Sequence, residues 1–224
     1  MNKNQVFAFA LVGAMLLVTG CEPDKITVEV PVSAIQKAKQ GETVYLKARA
    51  NGVSEIVPDD ISKKKDQIRQ VIEKNLGKGG RMSIKSKSDS GLSFSAQWKI
   101  PLFQDGHLPA DGNSYPMWLV LTKESDRLTL VSNRQCFDAM NEQLDSVDFM
   151  MDKISELGMT DIVFDNDTDK EFRYTIYGAF INGDSKVSCT QKVAVGDEST
   201  VSFGRKSSDS IWHDTYPVVF LPTN

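Results

Sequence analysis

The side chains in this sequence that are best suited to chemistry are three cysteines and two histidines. The histidines, His107 and His213, lie far apart, one in a loop-like segment and one near the C terminus. Two histidines are too few for a three-histidine zinc site. A nucleophilic cysteine needs an imidazole beside it, and a linker-like segment and the C-terminal region are unfavourable places from which to supply one. The sequence therefore predicts no catalytic residue, no metal site and no cofactor.

One run of carboxylates has a spacing that resembles the start of a calcium loop. The run consists of Asp165, Asp167, Asp169 and Glu171. An EF-hand loop requires Gly at its sixth position and Glu at its twelfth, where this chain has Lys170 and Ile176. The run therefore favours a solvated hairpin turn over a metal site.

The first twenty residues have the layout of a targeting segment. Lys3 precedes an apolar run from Val6 to Val18, and small residues follow it. Thirteen apolar residues are too few to cross a bilayer, which takes about 20, but they match the apolar region of a secretory signal peptide. We predict that residues 1–20 are a signal peptide.

The end of this segment, Val18-Thr19-Gly20-Cys21, resembles the lipobox of bacterial lipoproteins, in which Leu is commonest at the first position. The resemblance implies cleavage before Cys21, diacylglycerol on its thiol and acylation, for example by palmitate, of the new amino terminus. Glu22 follows, rather than the Asp that resembles an inner-membrane retention signal, so the outer membrane is favoured. An ordinary secreted protein and an uncleaved anchor remain the alternatives.

Once Cys21 is lipidated, Cys136 and Cys189 remain as an even pair. In an oxidising compartment such a pair most simply forms a disulfide. The alternative is two buried free thiols, because unpaired cysteine is often buried.

A basic run lies on a predicted helix of the first half. It consists of Lys63, Lys64, Lys65 and Arg69. The simplest interpretation is a solvated helix face. The alternative, functional interpretation is that the run contacts anionic lipid head groups or an acidic protein partner. Nucleic acid is not an expected partner in the periplasm.

The chain has 224 residues, of which 40% are hydrophobic and 25% are charged, as in an ordinary globular protein. Residues 22–112 contain 15 Lys and Arg against 12 Asp and Glu, whereas residues 113–224 contain 10 against 18. The change coincides with a Gly-, Pro- and Asp-rich stretch at 104–116. We therefore predict a membrane-proximal domain over 21–103, a linker over 104–116 and an acidic domain over 117–224. A long loop inside one domain is the alternative.

The hydrophobic periodicity predicts the same order of elements, ββαββ, in each half. Strands at 26–32 and 44–50 precede a helix at about 61–76, and strands at 117–122 and 127–132 precede a helix at about 134–157. Further strands, two of them joined at Asn182-Gly183, form a C-terminal meander. The predicted fold class is α+β, with two small domains that each contain an antiparallel sheet and one main helix.

The layout also weakly resembles a set of uncharacterised two-domain lipoproteins from proteobacteria. The residues that carry this likeness are Val32-Ser33-Ala34-Ile35, Gln40-Gly41-Glu42 and Lys99-Ile100-Pro101-Leu102. These motifs are short, and they imply no activity.

Two classes of function follow from these observations. The first is a lipid-anchored protein of the cell envelope that is not an enzyme and acts as a binding or structural module, with an envelope protein as a possible partner. The alternative is an envelope hydrolase or an enzyme inhibitor whose carboxylate pair is hidden among 30 acidic residues. Few histidines favour the first class, because histidine is the commonest general acid or base.

The lipobox makes a direct prediction about Cys21. The Cys21→Ser variant lacks the thiol that takes the lipid, so it should lose labelling by a fatty-acid analogue and accumulate as unprocessed precursor. Gel mobility and metabolic labelling measure both effects. Labelling that persists in this variant would show that the lipobox interpretation is wrong.

Overall fold

The computed structural model describes residues 23–55, 61–88, 91–124, 126–147, 158–204 and 216–221. The predicted signal peptide and Cys21 lie outside the described residues. The strands are β1 (Pro23–Pro31), β2 (Val44–Glu55), β3 (Arg81–Ser88), β4 (Gly91–Gln104), β5 (Met117–Thr122), β6 (Arg127–Ser132), β7 (Met159–Asp165), β8 (Phe172–Ile181), β9 (Asp184–Val193), β10 (Glu198–Phe203) and β11 (Tyr216–Phe220). The helices are α1 (Val32–Lys39), α2 (Ile61–Asn75) and α3 (Arg134–Val147).

Most of these elements lie where the hydrophobic periodicity predicts them. The β5–β6 hairpin has the predicted bounds, and α2 and α3 begin within the predicted helices. The turn between β8 and β9 has positive φ at both Asn182 and Gly183, as an Asn-Gly hairpin turn requires. The sequence analysis did not predict α1, because its eight residues are too few for a clear helical period.

The predicted fold class, α+β with two small separate domains, is wrong. Strands make up 53% of the structure, and nine strands in the described part of the chain close into a barrel. The two halves of the chain share this sheet, since β4 pairs with β5 and β1 pairs with β7, both in parallel. Their buried side chains also form one continuous core. Periodicity identifies which face of a strand is buried but not which strand lies beside it.

The barrel closes at β8. One edge of this strand pairs with β9 along its length, and the other edge pairs with β11 at Thr175 and with β10 at Phe180 and Ile181. The two end strands of an eight-stranded sheet therefore meet on one edge of a single strand. Closure of this kind requires a sheet that is both twisted and coiled, with its strands tilted relative to the barrel axis.

A kink in β8 allows this strand to pair with both β10 and β11. Tyr174 and Ile176 point into the core in the first half of the strand, and Ala179 and Ile181 do so in the second half. The inward-facing set therefore changes from even to odd numbers around Gly178, whose φ is +62°. A residue without a Cβ adopts this conformation at little cost. Both halves of β8 thus face the core.

Helices cover both ends of the barrel. The short helix α1 lies at the end where β1 finishes, with Ala34, Ile35 and Ala38 buried. At the other end, α2 and α3 follow the last residues of β2 and β6 and contribute Ile72 and Phe137 to the same core. The interior is therefore filled by apolar side chains from the strands and from all three helices.

The N terminus of α1 is held by a residue from the second half of the chain. Asp167 accepts hydrogen bonds from the Ser33 amide (2.8 Å) and the Ser33 hydroxyl (2.5 Å). A carboxylate at this position satisfies an unpaired helical amide and faces the positive end of the helix dipole. Burial by itself raises the pKa of Asp167, but the hydrogen bonds from Ser33 and the charge of Lys37 outweigh it, so the pKa lies below its usual value.

Replacing Asp167 with Ala should therefore destabilise the barrel by about 1 kcal/mol, as loss of a helix cap does. Because the folded-state pKa is lowered, the carboxylate stabilises the fold above its unfolded pKa and loses this effect as the pH falls through the folded value. The difference in thermal midpoint between wild type and variant should therefore shrink in acid. Asp169→Ala, at an exposed position in the same loop, is the matched control. An Asp167→Ala protein with the wild-type midpoint at neutral pH would contradict this role.

Candidate functional site

A groove with a volume of about 630 Å³ lies on the outer face of β5 and β6. Its floor is apolar, because Trp118 lies directly opposite Val131, and Val120 lies between Phe103 and Thr129. Phe103 points away from the barrel interior and yet is only 3% exposed. The outer face of the sheet is therefore covered here, as the inner face is.

The wall of the groove is formed by the loop that precedes β5. The Asp105 amide donates a hydrogen bond to the Leu121 carbonyl (2.9 Å), which extends the β4–β5 pairing into this loop. Leu108 lines the groove and is 46% exposed. A Cβ at Gly112 would lie 2.5 Å from Leu108 Cδ1, so a larger residue here would displace the Leu108 side chain. The segment predicted as a linker thus forms part of a site.

Asp111 fastens this loop to the rest of the barrel. Its carboxylate accepts hydrogen bonds from the hydroxyls of Tyr115 (3.1 Å) and Tyr45 (3.3 Å). The two tyrosine rings also pack together, with centroids 5.8 Å apart. Burial, the hydrogen bond to Asp111, the charge of Asp111 and the neighbouring Tyr45 raise the pKa of Tyr115 to about 12. The Tyr115 hydroxyl therefore stays protonated and continues to donate to Asp111.

Apart from Thr129 in the middle of the floor, the polar side chains of the groove lie at one end. Thr122 pairs with Arg127 across the β5–β6 hairpin, and Asp105 also lines this end. The other end is formed by Trp118 and Val131. An apolar cavity of about 300–1,000 Å³ with a few polar groups is typical of a binding site. The arrangement suits an apolar group that carries a polar or charged part at one end.

A second, smaller cavity of about 370 Å³ lies beside α1 and has charged walls. Its lining includes Glu29, Lys37, Lys47, Asp165, Asp167 and Glu198. Asp167 is occupied by Ser33, and Glu29 forms ion pairs with both Lys47 and Arg49. These groups therefore stabilise the barrel, and the groove on β5 and β6 is the better candidate site.

The disulfide expected between Cys136 and Cys189 is not present, since both thiols are free in the structure. The Cys136 thiol donates to the Asn75 carbonyl (3.1 Å) and so connects α3 to α2. Burial raises the pKa of Cys136 to about 11. Cys189 lies on β9 opposite Ile176. Cys136 lies on α3, which packs against α2.

The basic run on α2 is only partly available for contacts. Lys64 and Lys65 are half-buried, and Arg69 forms an ion pair with Asp66 at 3.0 Å. The side chain of Lys63 lies outside the described residues. The proposed contact of this run with lipid or with a partner stays a prediction.

The acidic run around residue 167 takes part in structural contacts. Asp167 binds Ser33, and Glu171 forms ion pairs with Arg173 (2.7 Å) and Lys192 (3.9 Å). Among the described residues, no group of three or more histidines, cysteines or carboxylates is placed to hold a metal ion.

The sequence analysis assigned no binding role to Trp118, Phe103 or Asp111. A signal for the groove was present in β5. Its residues Met117–Leu121 are all apolar, and a strand without alternation is covered on both faces. Trp98, by contrast, is 5% exposed and lies in the core.

Comparison with known proteins adds no relative. No protein-family model matches the chain, and no curated protein matches it. None of the helices in the described part of the chain has the length and apolar character needed to span a bilayer. The function must therefore be inferred from the site itself.

If Asp111 fastens the groove wall, Asp111→Ala should loosen the loop while the barrel remains folded. Amide hydrogen exchange at His107 and Gly112 should become faster, because the two tyrosine hydroxyls lose their shared acceptor. Glu124→Ala, at an exposed position in the next turn, is the matched control and should leave exchange in this loop unchanged. Unchanged exchange in Asp111→Ala would show that other contacts hold the wall.

Proposed function

We propose that this chain is a lipid-anchored protein of the bacterial cell envelope, with the outer membrane favoured, and that it acts as a binding module. The lipobox at residues 18–21 supports the anchor. The groove formed by Phe103, Trp118 and Val131 supports binding, and it is the observation that carries the proposal.

The kind of partner is indicated by the aromatic side chains that lie on the outer face beside the groove. Arg127 at the groove pairs with Phe220 of β11, and the Phe220 ring packs edge-on against Tyr177 of β8, with centroids 5.1 Å apart. Tyr177 is 54% exposed and Phe180, on the same strand, is 42% exposed. Aromatic side chains of β8 and β11 therefore lie on the outer face beside the polar end of the groove.

Exposed aromatic side chains beside a groove are typical of a protein interface, where aromatic residues are enriched. Tryptophan in a partly enclosed position is also the residue type that most often dominates binding energy at such an interface. The groove thus fits an apolar side chain of an envelope protein, and the neighbouring strands offer further contact area. A small molecule would use only the groove.

The alternative, an envelope hydrolase or an enzyme inhibitor, finds less support. A glycosidase-like mechanism needs two carboxylates that face a shared cleft. The smaller cavity does contain four carboxylates, Glu29, Asp165, Asp167 and Glu198, but Asp167 accepts hydrogen bonds from Ser33, and Glu29 forms ion pairs with Lys47 and Arg49. The groove offers shape and apolar contact, so binding is the better-supported function.

The experiment is site-specific photocrosslinking in the native envelope. A photoreactive phenylalanine at position 118 should capture a defined protein, whereas the same group at Lys192, an exposed position on β9, should not. Adding Val131→Asp should abolish capture, because it places a charge on the apolar floor opposite position 118. The fold of this variant is checked by its thermal midpoint. Capture of the same proteins from both positions, or capture that survives Val131→Asp, would contradict the proposal.

A further inference from the structure

The outer face formed by β1, β2, β4 and β3 carries an excess of positive charge, and we call it the basic face. Its outward-pointing basic residues are Lys25, Lys47, Arg49, Arg81, Lys85 and Lys99. Among the described side chains of this face, Glu29 is the one carboxylate. The basic face is distinct from the basic run on α2.

The register of the strands places like charges side by side on the basic face. Lys47 lies directly opposite Lys99, and Arg49 and Arg81 flank Gln97 from either side. Like charges directly opposite each other on neighbouring strands destabilise a sheet. This arrangement therefore favours an anion supplied from outside the molecule.

Internal carboxylates compensate only part of this charge. Lys25 forms an ion pair with Asp161 of β7 at 2.5 Å. Glu29 forms ion pairs with Arg49 and with Lys47, the latter at 3.7 Å. Within the described part of the chain, no carboxylate lies within ion-pair distance of Arg81, Lys85 or Lys99. Lys47 also stays 76% exposed despite its partner.

The predicted anchor leaves the protein at the edge of this face. β1 begins at Pro23, so that only Glu22 separates the strand from Cys21. Two residues span at most about 7 Å. A lipid on Cys21 therefore holds the start of β1 at the level of the head groups.

Two exposed apolar side chains flank the start of β1. Met159 pairs with Lys25 from the neighbouring β7 and is 46% exposed. Val53, at the end of β2, lies one residue beyond the partner of Pro23 and is 40% exposed. They stand where a protein surface would meet the interface of the bilayer.

We propose that the basic face docks on anionic lipid head groups of the membrane that carries the anchor, with Val53 and Met159 at its apolar edge. This inference rests on the proposed lipid anchor. In the closed ring, β8 lies opposite β2 and β4. Tyr177 and Phe180 therefore point away from the membrane, where a protein partner has access to them.

The experiment uses the full-length, lipidated protein in vesicles of phosphatidylethanolamine and phosphatidylglycerol. Tryptophan is introduced as Val53→Trp or Met159→Trp, and Phe180→Trp is the matched control because position 180 is similarly exposed. Lipids with a nitroxide on the acyl chain quench nearby tryptophan. The fluorescence added at positions 53 and 159 should shift to shorter wavelength and be quenched at least twofold more than that added at position 180.

The charge dependence completes the test. The difference in quenching between the three positions should disappear under each of three conditions. These are neutral phosphatidylcholine vesicles, salt raised to about 1 M, where the screening length falls to about 3 Å, and the Lys47→Glu/Lys99→Glu protein. Equal quenching at all three positions, or a difference that ignores charge, would overturn the docking. A soluble polyanion that binds the basic face while vesicles give no difference would also overturn it.

Failure of the anchor is recognised separately. Parent protein that does not float with vesicles, or that floats equally well as Cys21→Ser, shows that the lipid anchor is wrong and that the docking inference falls with it. Protein that floats only with Cys21 intact but shows no positional difference refutes the docking alone.

Discussion

The pairing of β10 and β11 with the same edge of β8 is the constraint on which the rest of the structure depends. Only a strongly twisted sheet brings its two end strands to one edge. Two polar contacts, one buried and one exposed, stabilise this junction. The Tyr174 hydroxyl lies 2.7 Å from the Ser199 hydroxyl in the core, and Asn182 exchanges backbone and side-chain hydrogen bonds with Thr200. Because the ring is closed there, strands from both halves of the chain surround one apolar interior.

Because apolar side chains fill the closed interior, the binding surfaces of this protein lie on the outside of the barrel. The outer face then differs from strand to strand. Around Lys47 and Lys99 it is charged, around Trp118 and Val131 it is apolar, and around Tyr177 it is exposed and aromatic. A surface divided in this way can meet a membrane on one side and a protein on another. The short distance between the start of β1 and Cys21 makes such an orientation physically coherent.

Local features of this fold can be predicted from the sequence, whereas features that depend on long-range pairing cannot. The β5–β6 hairpin, the Asn182-Gly183 turn and the start of α3 follow from patterns within a few residues of one another. The groove does not, because Phe103 and Trp118 become neighbours only through the parallel pairing of β4 with β5. The same applies to the cap of α1, since Ser33 and Asp167 are 134 residues apart in the chain.

The sequence by itself determined the positions of most strands and helices, the excess of basic residues in the first half and the motif around Cys21. These features depend on side-chain type and on short-range periodicity, which any single stretch of chain displays. Only the tertiary structure decided that the halves form one barrel, that residues 105–112 form the wall of a groove and that Lys47 faces Lys99. The physical reason is that strand pairing joins distant residues through backbone hydrogen bonds, which every residue but proline can donate and which leave no mark on the local sequence.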